Sequence, residues 1–341
     1  MANARADSHS AVKCSGISDP PEVSDWAGVR PTRAIFNSAD DAAKLIKRMA
    51  HELGANIVRI AKLNPAWVYL SNPNKTRGFE ANVPIEVPVW WEYAIILTGT
   101  HNFKPMYSDP NYGTSWDGYN LSSQTAQQLT YFIKRMGYPA RWHSPFGGYD
   151  LCVPPISQEA GMGQVGRSSF TITPEFGGSF RPAVITTSLP MTIDKPLDFN
   201  LAKFCSRCKL CAEVCPTEAI GYTDEPYFEV RGTRRWYINY LKCRDGWNLV
   251  SGPMGCRACV GICPWTRVNN WVHRFAREVL SRDPTGITQN IAIWSEKNIY
   301  GPKNMSESLL PPDFKGVMEP PEWLVTDNYI SGFTDTPMGV K

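Results

Sequence analysis

Apolar residues at Ala42, Leu45, Ile46, Met49 and Leu53 recur three and four positions apart, the spacing that lines one face of a helix. Ser38 precedes the run, Asp40 and Asp41 occupy its first turn and Gly54 follows it, a start and a stop that fit a helix. Ile57-Val58-Arg59-Ile60 then predicts a short strand. A second helix is predicted from Ala126, Leu129, Ile133 and Met136, capped by Ser122 or Ser123 and closed by Gly137. Strands near Tyr93 to Thr98 and Ala183 to Thr187 complete a sheet covered by these helices. From about residue 200, cysteines, prolines and aromatics replace this periodicity. The chain therefore divides into an N-terminal arm (1–30), an α and β domain (31–200), a smaller cysteine-rich domain (201–280) and a wrapping tail (281–341) marked by Pro311-Pro312 and Pro320-Pro321.

Composition changes this picture only by exclusion. At 341 residues and 43% hydrophobic content the chain can bury a sizeable core, which excludes disorder for most of it. The longest apolar stretch falls far short of the roughly 20 residues that a spanning helix needs, so no transmembrane segment is expected. The start, MANARADSHSAVKCSG, shows neither an apolar signal core nor twin arginines, which makes the cytoplasm the expected compartment, although a mature exported form would look the same. A formal charge of +3, with basic residues scattered, gives no reason to expect a nucleic-acid partner.

Cysteine placement carries the chemistry. Eight of the ten cysteines lie between positions 205 and 263. A disulfide scaffold would suit a small secreted chain and does not suit a large one of this kind. Cys205, Cys208, Cys211 and Cys215 form the run CxxCxxCxxxCP, in which three thiolates bend around one cubane and the fourth, held by Pro216, points to another. The half-repeat CRACVGICP returns with Cys256, Cys259 and Cys263 before Pro264, and its missing ligand is assigned to Cys243. Crossing of the fourth ligands gives Cys205, Cys208, Cys211 and Cys263 to one 4Fe-4S cluster and Cys243, Cys256, Cys259 and Cys215 to the other. Zinc is the competing occupant, but its sites do not normally use this interleaved run. Cys14 and Cys152 are left as a tail thiol and a small buried side chain.

Several stretches resemble the corrinoid-dependent reductive dehalogenases: FIKRMGYPA (Phe132 to Ala140), AGMGQVGRSSFTITPEFGGSFRP (Ala160 to Pro182), VITTSLPM before the first cysteines, and CPWTRVNNWVHRF (Cys263 to Phe275). The resemblance covers about Ser122 to Glu278 and includes the long gap inside the second cysteine run. It implies an α+β fold, with a nitroreductase-like cobalamin-binding domain joined to a bacterial-ferredoxin-like two-cluster domain. The cofactors implied are two 4Fe-4S clusters and a base-off cobalamin, bound without the DxHxxG fingerprint, which Asp7-Ser8-His9 does not complete.

The same resemblance implies a tyrosine proton donor with a basic helper, placed at Tyr119, with Tyr112 as its rival, and at Arg167. A guanidinium beside a phenol favours the tyrosinate. Gly166, Ser168 and Ser169 are implied to contact the cofactor, with His273 either at the corrin edge or serving the helix that follows. His51 and His143 are read as structural. The implied reaction is reductive dehalogenation of an organohalide, with electrons arriving from an external ferredoxin or flavodoxin and passing through the clusters to the cobalamin. The many aromatics suggest an apolar pocket, its size set by the loops around Trp90, Trp91, Tyr107 and Trp116. Two alternatives remain. One is an epoxyqueuosine reductase, which usually has GKN where this chain has Gly166-Arg167-Ser168. The other is a non-catalytic iron-sulfur electron carrier.

Overall fold

A computed structural model describes residues 28–72, 83–101, 113–143, 149–230, 232–243 and 256–300. Its first part is a sheet of four strands, β1 (Val58–Lys62), β2 (Tyr93–Thr100), β3 (Ala140–His143) and β4 (Phe180–Thr187), in the order β1-β2-β4-β3 with every neighbouring pair antiparallel. Period-two alternation explains its layers. On β2, Ile95 and Leu97 point to one apolar cluster while Ala94 and Ile96 point to another. The first cluster is closed by helices α1 (Ala39–Glu52) and α2 (Gly113–Arg135), the second by α3 (Val153–Glu159) and the residues around it. With both faces covered, the central strand is apolar almost throughout.

Helix α1 matches its predicted bounds because Ser38 caps it, its side chain accepting the Asp41 amide at 3.1 Å. Helix α2 does not match. It begins at Gly113, so Ser122 and Ser123 lie buried in its middle rather than at its cap, and Tyr119 rides on the helix itself instead of preceding it. The reason is a close crossing: α2 touches β2 where Gly99 meets Gly118. A Cβ on Gly118 would lie 2.8 Å from the His101 ring and 2.9 Å from the Gly99 carbonyl. Backbone contact at two glycines packs this polar first half of the helix in a way that apolar periodicity does not reveal. Gly118→Val should therefore push α2 off the sheet and cost on the order of 1–3 kcal/mol of overpacking, read as a lower Tm with Tyr119 displaced.

The second part carries the cysteines on short helices α4 (Leu201–Arg207), α5 (Leu210–Glu213) and α6 (Ala258–Gly261), packed around Phe204, Trp236 and Trp265. Helices α7 (Trp271–Arg282) and α8 (Ile287–Ser295) follow. The latter lies in the stretch expected as a wrapping tail, where Ala292 and Ile293 pack against the core of the cysteine-rich domain and Gln289 is fully buried. Most of that expected tail, 301–341, lies outside the described residues, as does nearly all of the expected arm. Among the described residues no helix is long and apolar enough to cross a membrane.

Candidate active site and cluster centre

Cys208 lies within electrostatic reach of Cys205 and Cys263, and Cys211 of Cys208, Cys205, Cys259 and Cys263. Cys256 and Cys259 lie within reach of Cys215 and Cys243. Cys211 thus adjoins both sets. On the crossed assignment, Cys205, Cys208, Cys211 and Cys263 are the first group and Cys215, Cys243, Cys256 and Cys259 the second.

Burial is the first cause of every upward shift in these thiols. It pushes Cys205 up to about 11 and Cys263 up to about 12, and drives Cys208, Cys211 and Cys259 well upward. A protein that buries so many thiols together needs a cationic centre to hold them as thiolates. No disulfide joins the cysteines among the described residues. Cys14 lies outside those residues; Cys152 is half-buried at the start of α3.

The second group opens onto a cavity of about 300 Å³ between the sheet and the cysteine-rich domain. Cys215, Cys243, Cys256 and Cys259 line it on one side, and Tyr119 and Arg181 on the other. Its walls are largely apolar, with Leu151, Val153, Phe170, Phe180, Ile220 and Ile238 among them. Trp91 is buried, Trp90 is half-exposed and neither lines the cavity; Tyr107 and the Trp116 side chain lie outside the described residues. Tyr69, Tyr119, Tyr149 and Tyr240 line it instead.

Of these tyrosines, Tyr119 carries a guanidinium over its ring: the Arg181 carbon sits 5.3 Å from the ring centroid. Tyr149 donates its hydroxyl to the Pro182 carbonyl at 2.8 Å. Tyr240 accepts from Arg235 at 3.3 Å, and Tyr69 is pushed upward by burial and then by Cys152. Register places the Tyr119–Arg181 pair. Arg181 is the β4 partner of Gly99 on β2, and Gly118 packs on Gly99, so the next helical residue falls above Arg181.

Arg167, the basic partner expected for Tyr119, is not there. Its guanidinium is 1% exposed and faces the first cysteine group: Nε donates to the Cys205 and Cys208 carbonyls at 3.2 and 3.1 Å, and Nη2 donates to Cys205 at 2.6 Å. A tight turn over residues 166–169, with Ser169 at φ 55, explains the difference. The turn aims Arg167 back at the cysteines while Ser168 and Ser169 line the cavity. Left-handed backbone at a non-glycine residue is a strain that clusters at functional sites.

Gly166 packs against the first group rather than the cavity, since a Cβ there would lie 3.7 Å from Cys205 Sγ. His273 is absent from the cavity wall. Its amide donates to Asn270 Oδ1 at 2.9 Å, which caps α7, and its imidazole is held below its usual range by burial and then by Arg277 and Arg267. The structural roles read for His51 and His143 agree with their contacts: His51 bonds the Ala55 carbonyl, and His143 sits buried between Asp150 and Thr186 at 2.9 Å each. Tyr112 lies outside the described residues.

Three residues near this site escape sequence reasoning: Arg181, Arg257 and His101. Arg257 is buried, donates to the Cys256 carbonyl at 2.7 Å and lines the cavity. His101 is buried with neither ring nitrogen hydrogen-bonded, and burial, then Arg181 and Arg257, take its imidazole down to about 2. A strand position opposite a glycine was the available signal for Arg181; for His101 there was none.

Fold and site together define a redox protein class: a cysteine-rich cluster module joined to an α+β sheet domain, with a mostly apolar cavity between them. A family model described as a 4Fe-4S dicluster domain matches residues 204–267, a span that holds all eight clustered cysteines. The chain is a homologue of the reductive dehalogenases. It is 31% identical to the tetrachloroethene reductive dehalogenase of Sulfurospirillum multivorans over 287 residues, covering 73% of this chain and 55% of that one. It is 28% identical to that of Desulfitobacterium hafniense over 286 residues, covering 71% and 51%. The chain thus spans about half the length of these curated relatives. Among solved structures, a catabolic reductive dehalogenase in complex with 3-bromo-4-hydroxybenzoic acid superposes with a TM-score of 0.69 at 26% identity, covering 81% of this chain and 39% of that one. A reductive dehalogenase whose structure suggests a mechanism for B12-dependent dehalogenation gives 0.69 at 25% identity, covering 82% and 40%.

Proposed function

We propose that this chain reductively dehalogenates a small organohalide, with two 4Fe-4S clusters and a cobalamin as its redox groups and the sheet domain as a nitroreductase-like corrinoid scaffold. One observation carries the reading: a single cavity is lined both by the thiols of Cys215, Cys243, Cys256 and Cys259 and by the Tyr119–Arg181 pair. The cavity suits a corrinoid in its mostly apolar wall and in its direct contact with cluster ligands. Ser168, Ser169 and Arg257 would hold the corrinoid on the cluster side. When bound, it supplies the strongly reducing metal needed for carbon–halogen cleavage, and the cubanes supply single electrons.

The chain's own residues do the rest. Leu151, Val153, Phe170 and Phe180 keep the cavity dry, which limits stray protonation and strengthens charge interactions inside it. Tyr119 donates its phenolic proton to the carbon as negative charge develops there. Arg181, over the ring, stabilises the phenolate that remains. An external ferredoxin or flavodoxin is the electron source in this reading.

Anaerobic reconstitution with iron, sulfide and cobalamin tests it. Corrinoid absorbance should co-elute with the protein, and halide should be released from a chlorinated ethene or a bromophenol under a low-potential reductant. Failure to retain the corrinoid would leave a two-cluster electron carrier. Corrinoid retention without halide release from any organohalide would count against the reaction and leave the cofactor in place.

A further inference from the structure

Arg167 has a buried positive charge and no acid to answer it. Its guanidinium, besides the carbonyls of Cys205 and Cys208, donates to those of Gly221 and Thr223 at 2.8 and 2.7 Å and lies 5.1 Å over the Trp236 ring. Every bond is to a neutral carbonyl. Among the described residues no carboxylate stands within ion-pair distance of it; Asp224, which its charge reaches, is exposed and paired with Lys209 at 2.7 Å. Burying a cation without a counter-charge is costly enough that proteins pair such groups or place them beside a charged centre. The group it faces is the set Cys205, Cys208, Cys211 and Cys263, through the carbonyls of Cys205 and Cys208 that it bonds.

We infer that Arg167 is the fixed counter-charge of the Cys205–Cys208–Cys211–Cys263 cluster and sets its reduction potential, holding it above the value that the same site would have with a neutral side chain. The inference rests on the two-cluster reading above. A thiolate-bound cubane is anionic and gains a further negative charge when reduced, so a buried cation beside it favours the reduced form; net charge and surrounding dipoles are the levers that set such potentials. Distance makes the effect selective. Arg167 bonds the backbone of the first group and is absent from the wall of the cavity that the second group lines. For the second group, Arg257 holds the corresponding place between Cys256 and Cys259.

Arg167 is thus a positioning and tuning residue, and its test is a potential rather than a rate. Arg167→Gln and Arg167→Lys are to be compared with the parent, each reconstituted with iron and sulfide, by iron analysis and by EPR-monitored redox titration. The expected result is full iron in both variants, with one of the two midpoint potentials moved to a more negative value in Arg167→Gln, the other unmoved, and Arg167→Lys restored toward the parent. Unmoved potentials in an iron-replete Arg167→Gln would overturn the inference. Equal loss of iron from both variants would overturn it too, since it would make the residue a clamp on the backbone whose charge is immaterial. A parent protein without two reducible clusters would bring down the function proposed above, and this inference with it.

Discussion

Tyr119→Phe should lower dehalogenation by about 100- to 10,000-fold, the range by which positioned general acids accelerate proton transfer, while iron content, corrinoid binding and thermal stability stay at parent values. The substitution removes a single oxygen and leaves the ring under Arg181, so the packing that sets the α2–sheet crossing is untouched. Arg181→Met should act in the same direction and leave a smaller residue of activity sensitive to pH, because the phenolate would then form without its cation. Halide release in single-turnover assays is the measurement. Parent-like rates in Tyr119→Phe would assign the proton to another group, with Tyr149 the first to examine, since its hydroxyl faces the same cavity from the Pro182 carbonyl.

The second large effect concerns ligand crossing. Cys215 sits in the first cysteine run but is assigned by the crossed spacing to Cys243, Cys256 and Cys259, and lies within electrostatic reach of Cys256 and Cys259; Cys263 sits in the second run but is assigned with Cys205, Cys208 and Cys211, and lies within reach of Cys205. Cys215→Ala should therefore abolish the same EPR signal as Cys256→Ala, with loss of about half the iron and of dehalogenation, because this cluster borders the cavity. Cys263→Ala should instead abolish the signal lost in Cys205→Ala. Paired signals that followed the runs, with Cys215→Ala matching Cys205→Ala, would refute the crossing and the route that it implies between the two domains.

Legibility differed between the two parts of the molecule for physical reasons. The cysteines declared themselves because ligand spacing is local: CxxCxxCxxxCP constrains where a short helix can aim its thiols, and the 4Fe-4S dicluster model matches the span that holds all eight. Helix α1 and strands β2 and β4 were legible for the same kind of reason, since one buried face and two repeat distances leave a periodic trace. The start of α2 was not, because Gly118 packs by lacking a side chain and Ser122 and Ser123 are polar residues on a buried face.

The basic partner of Tyr119 was misplaced for a related reason. Arg167 and Arg181 lie in the same stretch, Ala160 to Pro182, both almost fully buried, and nothing local distinguishes a guanidinium that binds backbone carbonyls of the cysteine run from one that covers a phenol. The distinction depends on a reversal at Ser169 and on antiparallel register between β2 and β4, which bring residues more than 60 positions apart into contact. Metal-ligand identity is written in spacing along the chain, so the sequence alone determined the cluster chemistry and the layered α+β plan. Which arginine serves which group, and that one cavity joins the second cysteine set to Tyr119, only the tertiary structure decided, because both follow from where separate segments cross.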